Sequence, residues 1–105
     1  MVRYKLLVKY TEIGAAQIQN TVARSAAFKQ AAAAMGVFVE DLFWTLGEYD
    51  AILTLASEDE ETIVALVVEQ SRRGFVRTVL LRAFTEDEFA RILTKLPSAP
   101  VDLDL

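Results

Sequence analysis

The amino-acid sequence predicts a two-layer α+β sandwich in which helices cover one face of a four-stranded antiparallel sheet. Three observations lead to this prediction. The 105 residues suffice for one compact domain and are too few for two. Strand-like and helix-like segments follow one another in the order strand, helix, strand, strand, helix, strand, helix. The two middle strands are separated by the short Gly47-Glu48 turn, so they should pair as an antiparallel hairpin.

This order describes two split βαβ units around a central hairpin. It is the order of the ferredoxin-like βαββαβ sandwich, here with an extra short C-terminal helix. The alternative is another small two-layer α+β sandwich with a different strand order. We expect the domain to span residues 1–96. Pro97 and Pro100 interrupt the preceding pattern, so residues 97–105 are predicted to form an extended tail.

The predicted strands cover residues 2–10, 37–46, 49–56 and 75–84. The first strand alternates, with Tyr4, Leu6, Val8 and Tyr10 on one side and Arg3, Lys5, Leu7 and Lys9 on the other. We assign the uniformly apolar set to the face beneath the helices. In the second strand both alternate sets are bulky, so either Phe43 or Trp44 faces the uncovered side.

The first predicted helix spans residues 21–35, where seven alanines indicate high helix propensity. Gly36 ends it, because glycine readily adopts the left-handed conformation found after a helix. The preceding residues 11–20, which include Gly14, are predicted as a loop with a helical turn.

Two capping boxes mark the starts of the remaining helices. Ser57 with Glu60 is predicted to open the second helix, and Thr85 with Glu88 a short third helix that runs through Lys95. The expected buried stripes are Ile63, Leu66 and Val67 in the second helix and Phe89, Ile92 and Leu93 in the third. The acidic run from Glu58 to Glu61 suits the positive end of a helix dipole, which explains these carboxylates without a metal ion.

The composition excludes several kinds of chemistry. Without Cys or His, the chain lacks disulfides, thiolate metal sites and the commonest general base. A net charge of -4 has the wrong sign for a nucleic-acid partner. No stretch reaches the roughly 18 apolar residues of a membrane span, and residues 1–10 lack the apolar core of a secretory signal. We therefore expect no metal, no cofactor, no nucleic-acid or membrane partner, and a cytoplasmic location.

The uncovered face of the sheet is expected to combine cations with large apolar side chains. The candidate cations are Arg3, Lys5, Lys9, Arg77 and Arg82. Arg77 and Arg82 are five positions apart, so on a regular strand they point to opposite faces. We expect these cations mainly to form ion pairs with the abundant acids, with binding of an anionic ligand as the alternative. The exposed apolar patch predicts a homodimer or a larger closed oligomer.

One run of residues resembles a known family. Phe43-Trp44-Thr45-Leu46-Gly47-Glu48-Tyr49-Asp50 is similar to the motif of the GYD domain family, whose Gly-x-Tyr-Asp stands here as Gly47, Tyr49 and Asp50. Similar stretches occur at Lys9-Tyr10-Thr11 with Gly14, at Arg24, and from Val76 through Arg82 to Phe89. The likeness covers about residues 1–96, although Glu58-Asp59 replaces the Pro-Asp pair frequent in the family. The resemblance implies a small ferredoxin-like domain without an established biochemical activity.

The candidate ligand-binding residues are Tyr49, Asp50, Trp44, Arg82 and Tyr10. Gly47 is assigned to the hairpin turn. Tyr49 and Asp50 have two interpretations: they shape the hairpin, or they line a pocket as hydrogen-bond donor and as base or ligand anchor. The leading hypothesis is a self-associating domain that binds a small polar or anionic ligand at a sheet or subunit interface. The alternative is a cofactor-independent enzyme of the dimeric α/β-barrel type, a monooxygenase or isomerase that uses Asp50 and Tyr49. A third possibility is an accessory subunit that docks through its tail.

Overall fold

The computed structural model describes residues 1–104. Its elements are β1 (Val2–Tyr10), α1 (Glu12–Ala16), a 3₁₀ turn (Ile18–Asn20), α2 (Thr21–Ala34), β2 (Phe38–Trp44), β3 (Ala51–Ser57), α3 (Glu60–Arg72), β4 (Val76–Ala83) and α4 (Glu86–Leu93). The predicted α+β class and antiparallel sheet are confirmed, and the element order is that of a ferredoxin-like fold.

The four strands lie in the order β2-β3-β1-β4, with every neighbouring pair antiparallel. β1 is therefore central, as the split βαβ order requires. Val8 in β1 lies opposite Ala51 of β3 and Thr78 of β4, so the ends of β1 and β2 meet the beginnings of β3 and β4 at one edge. A register shift between Val39 and Asp41 leaves Glu40 as an extra residue in β2, which is a β-bulge.

The core lies between the sheet and the helices α2 and α3. Leu6, Leu55, Ile63 and Val37 are its largest fully buried side chains. Leu6 is 0% exposed and Lys9 lies open to solvent, so the predicted assignment of the two sides of β1 is confirmed.

The opposite face of the sheet is not covered by any helix in the described chain. Across it runs a continuous apolar row of Phe43, Ile52, Leu7 and Val79, whose backbones are paired in register. Phe43 is 63% exposed, whereas Trp44 lies on the covered side, which decides between the two predicted orientations of β2. We call this surface the open face.

The hairpin between β2 and β3 is longer than the two-residue turn predicted. The strands end at Trp44 and resume at Ala51, and the connection is closed by the Thr45 amide, which donates to the Asp50 carbonyl at 2.9 Å. Gly47 has φ of +129°, a conformation that side chains disfavour, so its assignment to the turn agrees with the backbone.

The predicted cap of α3 is wrong by two residues. Asp59 is the N-cap, because its carboxylate accepts from the Glu61 amide at 3.0 Å. Ser57 cannot start the helix because it is still paired with Val2 in the sheet. Its hydroxyl accepts from the Asp59 amide at 3.1 Å and so supports the turn before the helix.

The C-terminal helix starts as predicted but is not buried as predicted. The Thr85 hydroxyl accepts from the Glu88 amide at 3.2 Å, and the Glu88 carboxylate accepts from the Thr85 amide at 2.8 Å. The expected buried stripe of Phe89, Ile92 and Leu93 is exposed, since α2 and α3 already occupy the covered face of the sheet. Residues 97–104 have no helix or strand, and the last residue of the predicted tail lies outside the described residues.

No helix among residues 1–104 is both long enough and apolar enough to cross a bilayer.

Candidate functional site

A cavity of about 480 Å³ lies between the covered face of the sheet and the helices α2 and α3. Its apolar wall is formed by Val8, Phe28, Leu42, Ala51, Leu53, Leu66 and Val76. Its volume and its mainly apolar lining fall within the range of small-molecule sites, roughly 300–1,000 Å³. We call it the central cavity.

Small side chains of α2 border the central cavity. Ala27 and Ala31 line it and are both exposed, so the cavity opens to solvent along this helix. The buried residue of α2 is Ala32, which does not line the cavity. The alanine-rich sequence that favours the helix therefore also leaves one side of the cavity open.

Three polar side chains meet at the edge of the cavity where β1 and β2 end. The Tyr10 and Thr21 hydroxyl oxygens are 2.6 Å apart, and the Trp44 indole Nε1 donates to both, at 3.1 Å and 3.2 Å. Tyr10 ends β1 and Trp44 ends β2, the two strands on either side of β3, and Thr21 opens α2. This cluster fixes the start of α2 against the sheet and adds polar groups to the rim.

Arg24 is held over the cavity by two contacts. Its guanidinium stacks on the Phe75 ring, with Cζ 4.0 Å from the ring centroid, and donates to the side-chain oxygen of Gln17. A guanidinium has five N–H donors, so these contacts leave others available to a ligand. All three residues line the central cavity.

Gly14 brings Gln17 to this position. A Cβ atom on Gly14 would lie 2.0 Å from the Phe75 carbonyl oxygen, so only glycine permits this approach. The Thr11 amide donates to the same carbonyl at 3.1 Å, and the Thr11 hydroxyl donates to the Gly74 carbonyl at 2.6 Å. Residues 11–20, which we predicted as a loop with a helical turn, are thus a helical segment tied to the start of β4.

The end of α3 contributes a second cation and an unpaired amide oxygen. Gln70 and Arg73 line the central cavity. The Gln70 Oε1 atom is buried and has no hydrogen-bond partner in the described chain. Glu69 also lines the cavity, but its carboxylate pairs with Arg72 at 2.5 Å. Within residues 1–104 no carboxylate pairs with Arg24 or Arg73, so the rim is positively charged on balance.

Tyr49 and Asp50, two of the predicted site residues, belong to the hairpin. The Asp50 carboxylate accepts from the Tyr10 amide at 2.8 Å, while the Asp50 amide donates to the Val8 carbonyl at 2.8 Å. The Tyr49 carbonyl accepts from the Thr45 hydroxyl at 2.6 Å. Neither residue lines the central cavity. These contacts agree with the interpretation that Tyr49 and Asp50 shape the hairpin, since Asp50 joins the hairpin to the end of β1.

Arg82 lies at the opposite edge of the sheet, in a cluster of its own. Its guanidinium is 3.9 Å from carboxylate oxygens of both Glu60 and Glu88, and it stacks on the Phe84 ring at 4.4 Å. It also donates to the Arg3 carbonyl at 3.2 Å. The Arg82 guanidinium is therefore already bound by other residues of the same chain. Of the five predicted ligand-binding residues, only Tyr10 and Trp44 line the central cavity.

Two pKa values are shifted in the Arg82 cluster. The backbone hydrogen bond from Thr85, with the charges of Arg82 and Arg3, holds the pKa of the Glu88 carboxyl below its usual value. The hydrogen bond from the Tyr4 hydroxyl to Glu60 raises the pKa of that phenol. Both shifts follow from contacts within the chain.

Of the five cations expected to form ion pairs, Arg82 pairs with Glu60 and Glu88 as described above, and Arg3 pairs on the open face. Arg3 donates to the Glu40 carboxylate at 2.8 Å and 3.1 Å, and this pair raises the pKa of the guanidinium. The bulge positions Glu40 for this contact. Lys5 instead donates to the Thr54 hydroxyl at 2.6 Å. Arg77 lies opposite Lys9, and Arg82 lies opposite Tyr4, so the two arginines point to different faces as predicted.

Sequence reasoning did not identify Gln70 and Arg73 as members of the site. They continue the spacing of the buried stripe of α3, since Ile63, Leu66, Gln70 and Arg73 follow one another at intervals of three or four residues. Thr21, Arg24, Phe28 and Ala31 have the same spacing in α2. The sequence signal for these residues is a polar side chain at a position where the spacing of the helix predicts a buried apolar one.

No group of acidic side chains within residues 1–104 is arranged to hold a metal ion. The acidic run Glu58–Glu61 caps α3 through Asp59, as the composition of a first helical turn favours.

The topology and the central cavity define a ferredoxin-like α+β domain with a partly open site between its sheet and its helices. The profile of the GYD domain family matches residues 4–93, most of the 105-residue chain. The chain belongs to the GYD domain family. No curated protein and no solved structure matches it.

Proposed function

We propose that this GYD domain binds a small anionic molecule in its central cavity. The observation that carries the proposal is the combination of an apolar cavity of about 480 Å³ with polar groups gathered at one end. Binding sites for small molecules have this composition, because the apolar wall supplies affinity and a few polar groups orient the ligand.

The charge of the rim supports an anion rather than a cation. Arg24 and Arg73 lack carboxylate partners in the described chain, whereas the nearby Glu69 is neutralised by Arg72. A guanidinium beside a low-dielectric wall attracts a carboxylate or phosphate more strongly than it would in water.

The positions of Tyr49 and Asp50 outside the central cavity favour ligand binding over catalysis by these two residues. A general base must reach the proton that it removes, and Asp50 instead accepts from the Tyr10 amide away from the cavity. The enzyme hypothesis then needs other residues that line the cavity, such as Tyr10 or Arg24. An activity stays an alternative to be tested by product analysis of any ligand that the protein retains.

Native mass spectrometry of protein purified from its own host tests the proposal. We expect a retained small molecule, and we expect Ala31→Leu to reduce its occupancy by filling the cavity. Ala33→Leu is the matched control, because Ala33 is exposed on the same helix and does not line the cavity. Equal occupancy in both variants, or a mass always equal to that of the polypeptide, would contradict the proposal.

A second proposal concerns self-association through the open face. The row Phe43, Ile52, Leu7 and Val79 forms an apolar band across the sheet, and Arg3, Lys5 and Asp41 lie in the neighbouring rows. Exposed apolar patches of this kind favour contact with another protein surface. A second copy brings the same band and both signs of charge, so a homodimer with the two open faces in contact is the proposed assembly.

Light scattering at micromolar concentration tests the assembly. We expect Phe43→Ser to shift the protein toward the 11.7 kDa monomer. Leu46→Ser is the control, because Leu46 is fully exposed in the hairpin and lies outside the band. A wild-type protein that remains monomeric, or equal effects of the two substitutions, would contradict the assembly. A cytoplasmic location stays a prediction of the sequence.

A further inference from the structure

We infer that, in the proposed homodimer, the helix α4 of each copy packs against the β4 side of the other copy's open face. This inference rests on the proposed self-association and adds the segment that crosses from one copy to the other. Three features support it: an uncovered apolar stripe on α4, a matching surface beside β4, and opposite charges on the two.

The helix α4 carries an apolar stripe that its own chain leaves uncovered. Phe89, Ile92 and Leu93 recur at helical spacing, and Leu96 continues the stripe just beyond the helix. Each of these four side chains is more than a third exposed, and no residue of α4 is buried. Because an apolar helical stripe normally packs on another surface, α4 lacks its packing partner in the single chain.

The β4 side of the open face offers such a surface. Val79 and Leu81 are paired in register with Leu7 and Lys5 of β1, so all four residues share the open face. Val79 is 41% exposed and Leu81 is 48% exposed. β4 is also an edge strand, so no further strand limits the approach of a helix. The stripe of α4 can therefore cover both side chains beside the apolar band.

The area of the open face favours a contribution from α4. Four strands about 4.8 Å apart, paired over about seven residues of 3.3 Å each, give a footprint of about 440 Å². Each partner in a typical stable complex buries about 800 Å². A contact through the two sheets alone falls short of this area. The exposed stripe of α4 adds apolar area from both copies.

Charge places the start of α4 beside Arg77. This residue lies directly opposite Lys9 on the open face, both are exposed, and like charges in such a pair repel each other. Within residues 1–104 no carboxylate pairs with either cation, and no cation pairs with Glu86. Glu86 precedes Phe89 by three residues and Leu93 by seven, so it lies on the same side of α4 as the stripe. A helix seated on Val79 and Leu81 therefore brings an anion to two cations.

A lipid surface fits α4 less well than a second copy does. The first turn of the helix contains three acids, Glu86, Asp87 and Glu88. Helices that bind membrane surfaces are instead rich in lysine and arginine. A second copy supplies both the cations and the apolar side chains that α4 requires.

Mixing two charge-reversal variants tests the contact. Arg77→Glu and Glu86→Arg should each weaken the homodimer several-fold, because like charges then meet in both contacts. When the two variants are mixed, the heterodimer should exceed its statistical share, since each of its contacts joins unlike charges. Native mass spectrometry measures the three dimers. Asp87→Arg mixed with Arg77→Glu is the matched control, because Asp87 is the next residue of α4 and lies on the side away from the stripe.

A substitution in the stripe tests the apolar contact separately. Leu93→Ser should raise the dissociation constant of the dimer at least tenfold, because each dimer loses two such contacts. Val68→Ser is the matched control, since Val68 is 59% exposed on α3 and lies away from the open face. Light scattering over a dilution series measures both constants, and circular dichroism confirms that each variant is folded. Raising the concentration of wild type should also slow proteolysis within α4, which is uncovered in a single copy.

The outcomes separate this inference from the homodimer on which it rests. A wild-type protein that stays monomeric overturns both. If wild type is a dimer but the mixed charge variants show no preference, or Leu93→Ser and Val68→Ser dissociate alike, the placement of α4 is overturned. Contact through the open faces then remains. Cross-over of α4 is also overturned if proteolysis of the dimer within this helix is as fast as that of the monomer.

Discussion

Replacing Gly14 by alanine should destabilise the domain more than any comparable glycine substitution. The added Cβ would lie 2.0 Å from the Phe75 carbonyl oxygen and 3.3 Å from the Tyr10 ring. The neighbouring atoms belong largely to the backbone, so α1 and the start of β4 must separate. This separation breaks the hydrogen bonds from Thr11 to Phe75 and Gly74.

The magnitude follows from three contributions. The two lost hydrogen bonds cost about 1 kcal/mol each. Forcing an extra carbon into a packed contact adds about 1–3 kcal/mol. Alanine's better helix propensity returns about 1 kcal/mol. The free energy of unfolding should therefore fall by roughly 2–4 kcal/mol, a large fraction of the 5–15 kcal/mol typical of such domains.

Urea denaturation of wild type, Gly14→Ala and Gly36→Ala measures this effect. Gly36 has a φ of +82° but nothing within 4 Å of an added Cβ, so its substitution costs about 1–2 kcal/mol of backbone strain alone. A Gly14→Ala variant no less stable than Gly36→Ala would refute the reasoning from close approach. Gly14→Ala should also weaken ligand binding, since Gln17 and the Arg24 that it holds would shift with α1.

Two further predictions concern the charged groups outside the cavity. Asp50→Ala should lower the free energy of unfolding by about 1–3 kcal/mol in urea denaturation, because the part-buried Tyr10 amide loses its acceptor; an unchanged stability with altered ligand binding would instead favour the pocket interpretation. The Glu88→Gln variant should have a lower free energy of unfolding than wild type near neutral pH, and this difference should become smaller as the solution is acidified. The lowered pKa of Glu88 means that its ionised form stabilises the fold fully above the ordinary value of 4.5, and this contribution is lost as pH falls through the lowered pKa. Urea denaturation of both proteins at about pH 6 and about pH 3 measures this change. A difference in free energy of unfolding that is as large at about pH 3 as at about pH 6 would contradict the stabilising role of the ionised Glu88.

The element order and the orientation of β1 could be predicted because local patterns determine them. Strict alternation in β1 places Leu6 on the buried side, and the capping box of α4 needs only Thr85 and Glu88. The orientation of β2 could not be predicted from alternation. The extra residue Glu40 shifts the register, so Val39 and Leu42 both face the core although they are three positions apart. A bulge depends on the pairing partner, which a single strand does not contain.

The candidate site was predicted in part, for a similar reason. Tyr10 and Trp44 are among the five ligand-binding residues predicted from the sequence, and both line the central cavity. Asp50 was predicted as a ligand-binding residue because it belongs to the Gly-x-Tyr-Asp motif. Its observed role, to accept a hydrogen bond from the Tyr10 amide, depends on the antiparallel contact with β1. Gln70 and Arg73 come from the far end of another helix and meet the site only through the tertiary packing.

The exposure of α4 has a consequence for how the molecule opens. No residue of this helix is buried, and the long axis of the chain reaches 55 Å against 29 Å and 22 Å for the other two. Melting α4 uncovers little apolar surface, so it should fray as an independent unit while the sheet stays closed. In a hydrogen-exchange experiment the amides of α4 would lose their protection early and those of β1 and β3 last. Limited proteolysis should therefore cleave within α4 while the sheet and the helices α2 and α3 are still folded.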